Sequence, residues 1–201
     1  MMKVYIGIMA IMLATCKSNS KGQEAKTKSQ SCSVFNDKYI EYVMAEQKDS
    51  ALYYIDKAIT CDPDDDFFKF EKVKLLLKYG NYAAATSNVK DMMSDNSPTY
   101  EMLYGIILLK QNNSKAEKVL ESAYDSFDKL TKEYEEENSS LQYYKLGLDN
   151  YFNGQNYTLE AIEKFKDNYK DQHNIALVDY LKDIVVQEAR EDVLYKMFNM
   201  N

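Results

Sequence analysis

Apolar and small residues recur along this chain at helical spacing, and the set of spacings itself repeats. Ala51, Ile55 and Ala58 are followed, each 34 residues later, by Ala85, Val89 and Met92. Tyr42 maps likewise onto Leu76, and Pro63 onto Ser97, which stands beside Pro98. The same set (small, large at plus four, small at plus seven) returns as Ala116, Leu120 and Ala123, and more loosely as Ala161, Phe165 and Asn168. Residues at those offsets lie on one face of a helix, with alanine where a neighbouring helix comes close. A fixed period of this length predicts stacked pairs of helices. A plain helical bundle is the alternative that periodicity alone leaves open.

Turn signals fall between the expected helices. Gly80-Asn81-Tyr82 offers a glycine able to take the left-handed conformation that ends a helix, and Gln111-Asn112-Asn113-Ser114 marks the corresponding place one repeat later. Between Lys129 and Ser140 an acidic insertion stretches the period to 45 and reads as a lengthened second helix followed by a charged loop. Beyond Asp171, Val178, Leu181, Val185, Ala189 and Val193 keep helical spacing, which predicts one amphipathic helix over residues 172–201 covering the last exposed face.

Within the first helix of each pair, one aromatic pattern recurs. It is Tyr143, Leu146-Gly147 and Asn150-Tyr151 in the last pair, and Phe35, Tyr39 and Tyr42 in the first. Together with the period, these residues resemble the tetratricopeptide repeat family over Cys32 to Asp171. The resemblance implies an all-α, right-handed solenoid of about four helix pairs over residues 32–171 plus a C-terminal capping helix. It also implies a concave groove lined by the first helices, placing Ile40, Phe67, Phe70, Lys74, Tyr144 and Leu148 toward it, and a protein or peptide as the occupant. In that arrangement Cys32 begins the first helix of the first pair and Cys61 ends the second, so antiparallel neighbours bring the two side by side. A disulfide between them is one reading, and two unpaired thiols are the other.

The N-terminus carries a different pattern. Lys3 precedes an apolar run from Val4 to Leu13, then Ala14-Thr15-Cys16 and a polar stretch. Ten apolar residues are about half of the roughly 20 needed to span a bilayer. A charged start, a short apolar region and small residues before a break describe an export signal. Leu13-Ala14-Thr15-Cys16 resembles the lipobox of bacterial lipoproteins, although Thr15 stands where that motif has Gly, Ala or Ser. An ordinary signal peptide cleaved nearby is the alternative. The resemblance implies a signal peptide over 1–15, a lipid on Cys16, and a location in the cell envelope. With Lys17 rather than Asp after the cysteine, resemblance to enterobacterial lipoproteins implies the outer membrane rather than inner-membrane retention. Residues 16–31 lack apolar content and read as a flexible tether.

Composition narrows the function classes. Two prolines and six glycines in 201 residues are too few for an all-β protein, and the length suits one domain. A net charge of −7 argues against nucleic acid as partner, because phosphate binding needs a basic face. Arg190 is the single arginine, so bidentate forks for anionic ligands are almost lacking.

Candidate chemistry is scarce. His173 stands without a second histidine or a cysteine at metal-ligand spacing, and no phosphate loop, nucleophile elbow or paired-cysteine motif occurs. Asp62-Pro63-Asp64-Asp65-Asp66 lacks the glycine and bidentate glutamate of a calcium loop and suits the start of a helix instead. No enzyme, cofactor or metal is expected. The 18 tyrosines and eight phenylalanines exceed what interhelical joints need, and rigid aromatics at a surface favour contact sites. The expected function is a membrane-anchored adaptor binding a protein or peptide in the envelope. The alternative is a carrier for a glycan or small ligand, with tyrosines as stacking platforms.

Overall fold

A computed structural model describes residues 20–93, 97–133, 139–169, 172–198 and 200, with side chains from Cys32 onward. Cys16 and the expected signal peptide lie outside these residues. The chain is all-helical, with ten helices and no strand among the described residues. They are α1 (Ser20–Met44), α2 (Lys48–Cys61), α3 (Asp66–Lys78), α4 (Tyr82–Met92), α5 (Pro98–Lys110), α6 (Ala116–Glu133), α7 (Ser139–Asn153), α8 (Gln155–Asn168), α9 (Gln172–Gln187) and α10 (Arg190–Met197). None of the described helices is long and apolar enough to cross a membrane.

Local chemistry sets the ends of these helices. Asp65 caps α3 by accepting the Phe67 N–H at 2.9 Å, and Asp66 adds charge in the first turn, so the acidic run serves the helix start. Pro98 opens α5, where its missing N–H costs no helical bond. Helices α1, α3 and α5 end in one motif, in which a residue with positive φ is followed by a backbone N–H that reaches back five residues. Gln47 bonds to Tyr42, Asn81 to Leu76 and Asn113 to Leu108, each at 2.9 Å. The positive-φ positions are Glu46, Gly80 and Asn112. Gly80 and Asn112 suit this conformation, whereas Glu46 must hold a side chain in it.

Each helix packs on its neighbours in sequence, α1 on α2 and α5 on α6 most extensively. The equivalent small-large-small sets are the buried seams: Ala51, Ile55 and Ala58 on α2, Ala85, Val89 and Met92 on α4, and Ala116, Leu120 and Ala123 on α6. Three patches of core result. One joins α1, α2 and α3, a central one runs from α3 to α7, and a third links α7, α8 and α9.

Two boundaries differ from the sequence reading. α1 starts at Ser20, twelve residues before Cys32, so most of the segment read as a flexible tether continues the helix. Its Lys, Gln, Glu and Ala residues are good helix formers, and the low apolar content that suggested a coil does not oppose helix. The expected single capping helix is instead two, broken at Glu188 and Ala189. α10 turns back to pack on α7 as well as α9. Its Leu194 and Tyr195, with Phe198 and Met200 beyond its end, complete the central core patch. Gly147 permits the approach, because a Cβ there would collide with the Met197 sulfur.

Candidate functional site

The first helices α3, α5 and α7 contribute one aromatic face, and the segment after α10 closes it. Phe70 lies 6.2 Å from Tyr100 and 6.3 Å from Phe198, centroid to centroid, and Phe198 stacks on Tyr144 at 5.5 Å. Phe67, Phe70, Tyr100 and Tyr144, with Asp66, Ser97 and Thr99, line an open cleft of about 230 Å³. Phe67 remains 52% exposed at its edge. A wider opening of about 770 Å³ lies between Val43 and Lys78 on one side and α9, Lys196 and Met200 on the other.

The six expected groove residues are divided by this arrangement. Phe67, Phe70 and Tyr144 meet at the aromatic cleft. Lys74 stands beside it, with Nζ 5.3 Å from the Phe70 ring centroid and paired to Glu71 at 2.5 Å. Ile40 is exposed on α1 and does not line the cleft. Leu148 is a correction, since it is fully buried in the central core and presents nothing to a partner. Its helix is covered by α10, which the sequence reading had placed at the end of the stack. Tyr100, Phe198 and Met200 were not singled out from the sequence. The signal for Phe198 was present, because Val193, Leu194, Met197 and Phe198 form a close apolar set at helical spacing.

Cys32 and Cys61 are joined by a disulfide, with Cα atoms 5.7 Å apart, tying α1 to the end of α2. His173 is exposed at the start of α9. Among the described residues no group of three His, Cys, Asp or Glu side chains is placed to hold a metal ion.

A second concavity of about 220 Å³ opens between α7 and α8, with Lys145 and Asp149 in its lining and half-exposed Tyr157 beside them. Asp149 is 2% exposed and fully engaged. It accepts from Tyr124 Oη at 2.8 Å and from Lys145 Nζ at 3.0 and 3.1 Å, while Asn153 donates to Tyr124 Oη at 2.9 Å. Burial, reinforced by the bond to Asp149, pushes the Tyr124 phenol well above its ordinary range. The hydroxyl is therefore held as a donor. The pair is arranged to be satisfied internally, which suits a positioning element better than a reacting one.

Set beside protein-family models, curated proteins and solved structures, the chain matches none of them.

Proposed function

We propose that this chain is an exported, membrane-tethered scaffold of tetratricopeptide type that binds a protein or peptide segment along the face formed by its first helices. The observation that carries this reading is the aromatic cleft. Four rings from three successive first helices converge there, and Phe67 offers half its surface to solvent. Rigid aromatics of this kind give contact area at low cost in side-chain entropy. The period of about 34 and the repeated helix-ending motif support a solenoid. The Cys32–Cys61 bond supports passage through an oxidising compartment. The lipobox-like Leu13-Ala14-Thr15-Cys16 supports an anchor at Cys16 and a place in the cell envelope, with Lys17 favouring the outer membrane.

The test uses the full-length chain in a bacterial host with a photo-crosslinking benzoylphenylalanine in place of Phe67. A discrete adduct in the envelope fraction, lost in the Tyr100→Ala variant, is expected. Intact mass should show a diacylglycerol on the wild type that Cys16→Ala lacks. Absence of any adduct together with an unlipidated product would sink the reading.

A second reading, a carrier of a glycan or small polar ligand, rests on the concavity between α7 and α8, where Tyr157 adjoins charged and amide side chains. A ligand-induced rise in melting temperature that Tyr157→Ala removes would favour it over the scaffold.

A further inference from the structure

Two buried side chains beyond α10 stand one against the wall of the aromatic cleft and one in the wall of the wider opening. Phe70 and Tyr144 line the cleft and also clasp Phe198, which is 1% exposed. Met200, 3% exposed, belongs to the wall of the wider opening. Both residues lie beyond the last residue of α10, and their N–H groups donate to the Tyr195 carbonyl at 3.2 and 2.9 Å. The body of α10 is anchored independently. Leu194 and Met197 sit against Gly147, and Lys110 Nζ lies 4.3 Å from the centre of the Tyr195 ring. The contacts that hold the body of α10 are thus separate from those of these two side chains.

We propose that the cleft and the wider opening are the two ends of one groove, that the groove recognises a segment carrying an aromatic and an apolar residue two positions apart, and that Phe198 and Met200 occupy it as a resident stand-in for that segment. The proposal rests on the groove-binding reading above and names its ligand class. The chemistry follows from the walls. Phe70 and Tyr144 offer ring faces and edges to one aromatic, at the separations at which such pairs attract. The half-exposed Phe67 and the Ser97 and Thr99 hydroxyls at the cleft lie ready for the residues that flank it. A partner with the same side chains regains the contacts that Phe198 and Met200 give up, so exchange needs no new pocket. The stand-in lowers apparent affinity by the fraction of molecules in which the groove is filled.

The probe is a fluorescein-labelled synthetic peptide of residues 190–201, titrated by fluorescence anisotropy into full-length wild type, Phe198→Leu, and Phe198→Ala/Met200→Ala. The double variant should bind at least about tenfold, and Phe198→Leu about threefold, more tightly than the wild type. A peptide with alanine at its Phe198 position should not bind. Should circular dichroism show the double variant unfolded, Phe198→Leu, which keeps an apolar side chain, decides the matter alone. Folded variants that bind no more tightly than wild type overturn the proposal. An envelope partner crosslinked through position 67 that this peptide does not displace leaves the scaffold standing and removes the stand-in. Peptide binding without any crosslinked partner does the reverse.

Discussion

Phe198 lies face to face with Tyr144, their centroids 5.5 Å apart and their planes 12° from parallel, although the two residues come from opposite ends of the C-terminal third of the chain. The stack joins the segment after α10 to α7 and buries Phe198 completely. Phe198→Ala should cost about 3–5 kcal/mol, the usual loss for a buried aromatic cut to alanine, and Phe198→Leu clearly less. Urea unfolding of the two variants checks this, and equal midpoints would show that the stack contributes little.

Gly147 and Met197 should be coupled. A Cβ at position 147 meets the Met197 sulfur, so Gly147→Ala should be better tolerated in a Met197→Ala background than in the wild type. A double-mutant cycle with an interaction energy of about 1 kcal/mol is expected. Strict additivity would mean that α10 does not press on α7 at this point.

The Cys32–Cys61 bond closes a segment with a sequence separation of 29, and loop entropy of that length corresponds to about 3–4 kcal/mol. Cys61→Ser, or reduction of the wild type in denaturant, should lower stability by an amount of that order. Cys32 is buried, so reduction under native conditions should be slow. Fast native reduction with no shift in melting would contradict this.

Asp149→Ala should be among the most damaging polar substitutions, because it leaves the Lys145 ammonium only its longer pairing to Asp128 at 3.9 Å and removes the acceptor of the Tyr124 hydroxyl. Removing one partner of a buried pair costs about 3–5 kcal/mol, and the 13% exposure of the Lys145 side chain argues for the lower end. Lys145→Met/Asp149→Leu should recover much of the loss, which a comparison of the three melting curves would reveal.

Alkaline pH should unfold the protein through its tyrosines. Burial pushes Tyr195 up to about 12 from an ordinary value of 10.0, and it also raises Tyr39, Tyr124 and Tyr143. A phenol whose folded pKa is raised stabilises the fold fully below pH 10 and loses that contribution as pH rises toward the folded value. Stability should therefore fall between about pH 10 and 12, with some tyrosines ionising only as helicity is lost. Simultaneous tyrosinate absorbance and circular dichroism would show this, and complete ionisation before any loss of helicity would refute it.

Much of the helix order was legible because the deciding forces are local. The 34-residue offset located the seams on α2 and α4, and Gly80 and Asn112 stand where left-handed turns end α3 and α5. The segment 20–31 was misread because low apolar content says only that a stretch need not be buried. Its composition is equally suited to an exposed helix. At the candidate site, Phe67, Phe70 and Tyr144 could be named from the resemblance to tetratricopeptide repeats, which places them toward a groove. Leu148 lies on the same helix as Tyr144 and is nonetheless buried, because the central core patch around it draws on several helices distant in sequence.

By itself, the sequence determined the helical class, the seams at which consecutive helices meet and the residues that cap and end them. Each of these depends on neighbours within a turn or two, where spacing and propensity act directly. Only the tertiary structure decided that the chain breaks at Glu188 and Ala189, that α10 folds back across α7, and that Phe198 and Met200 are buried in the central core. Those outcomes rest on contacts between segments distant in sequence, and an apolar stripe records that it will be buried without recording against what.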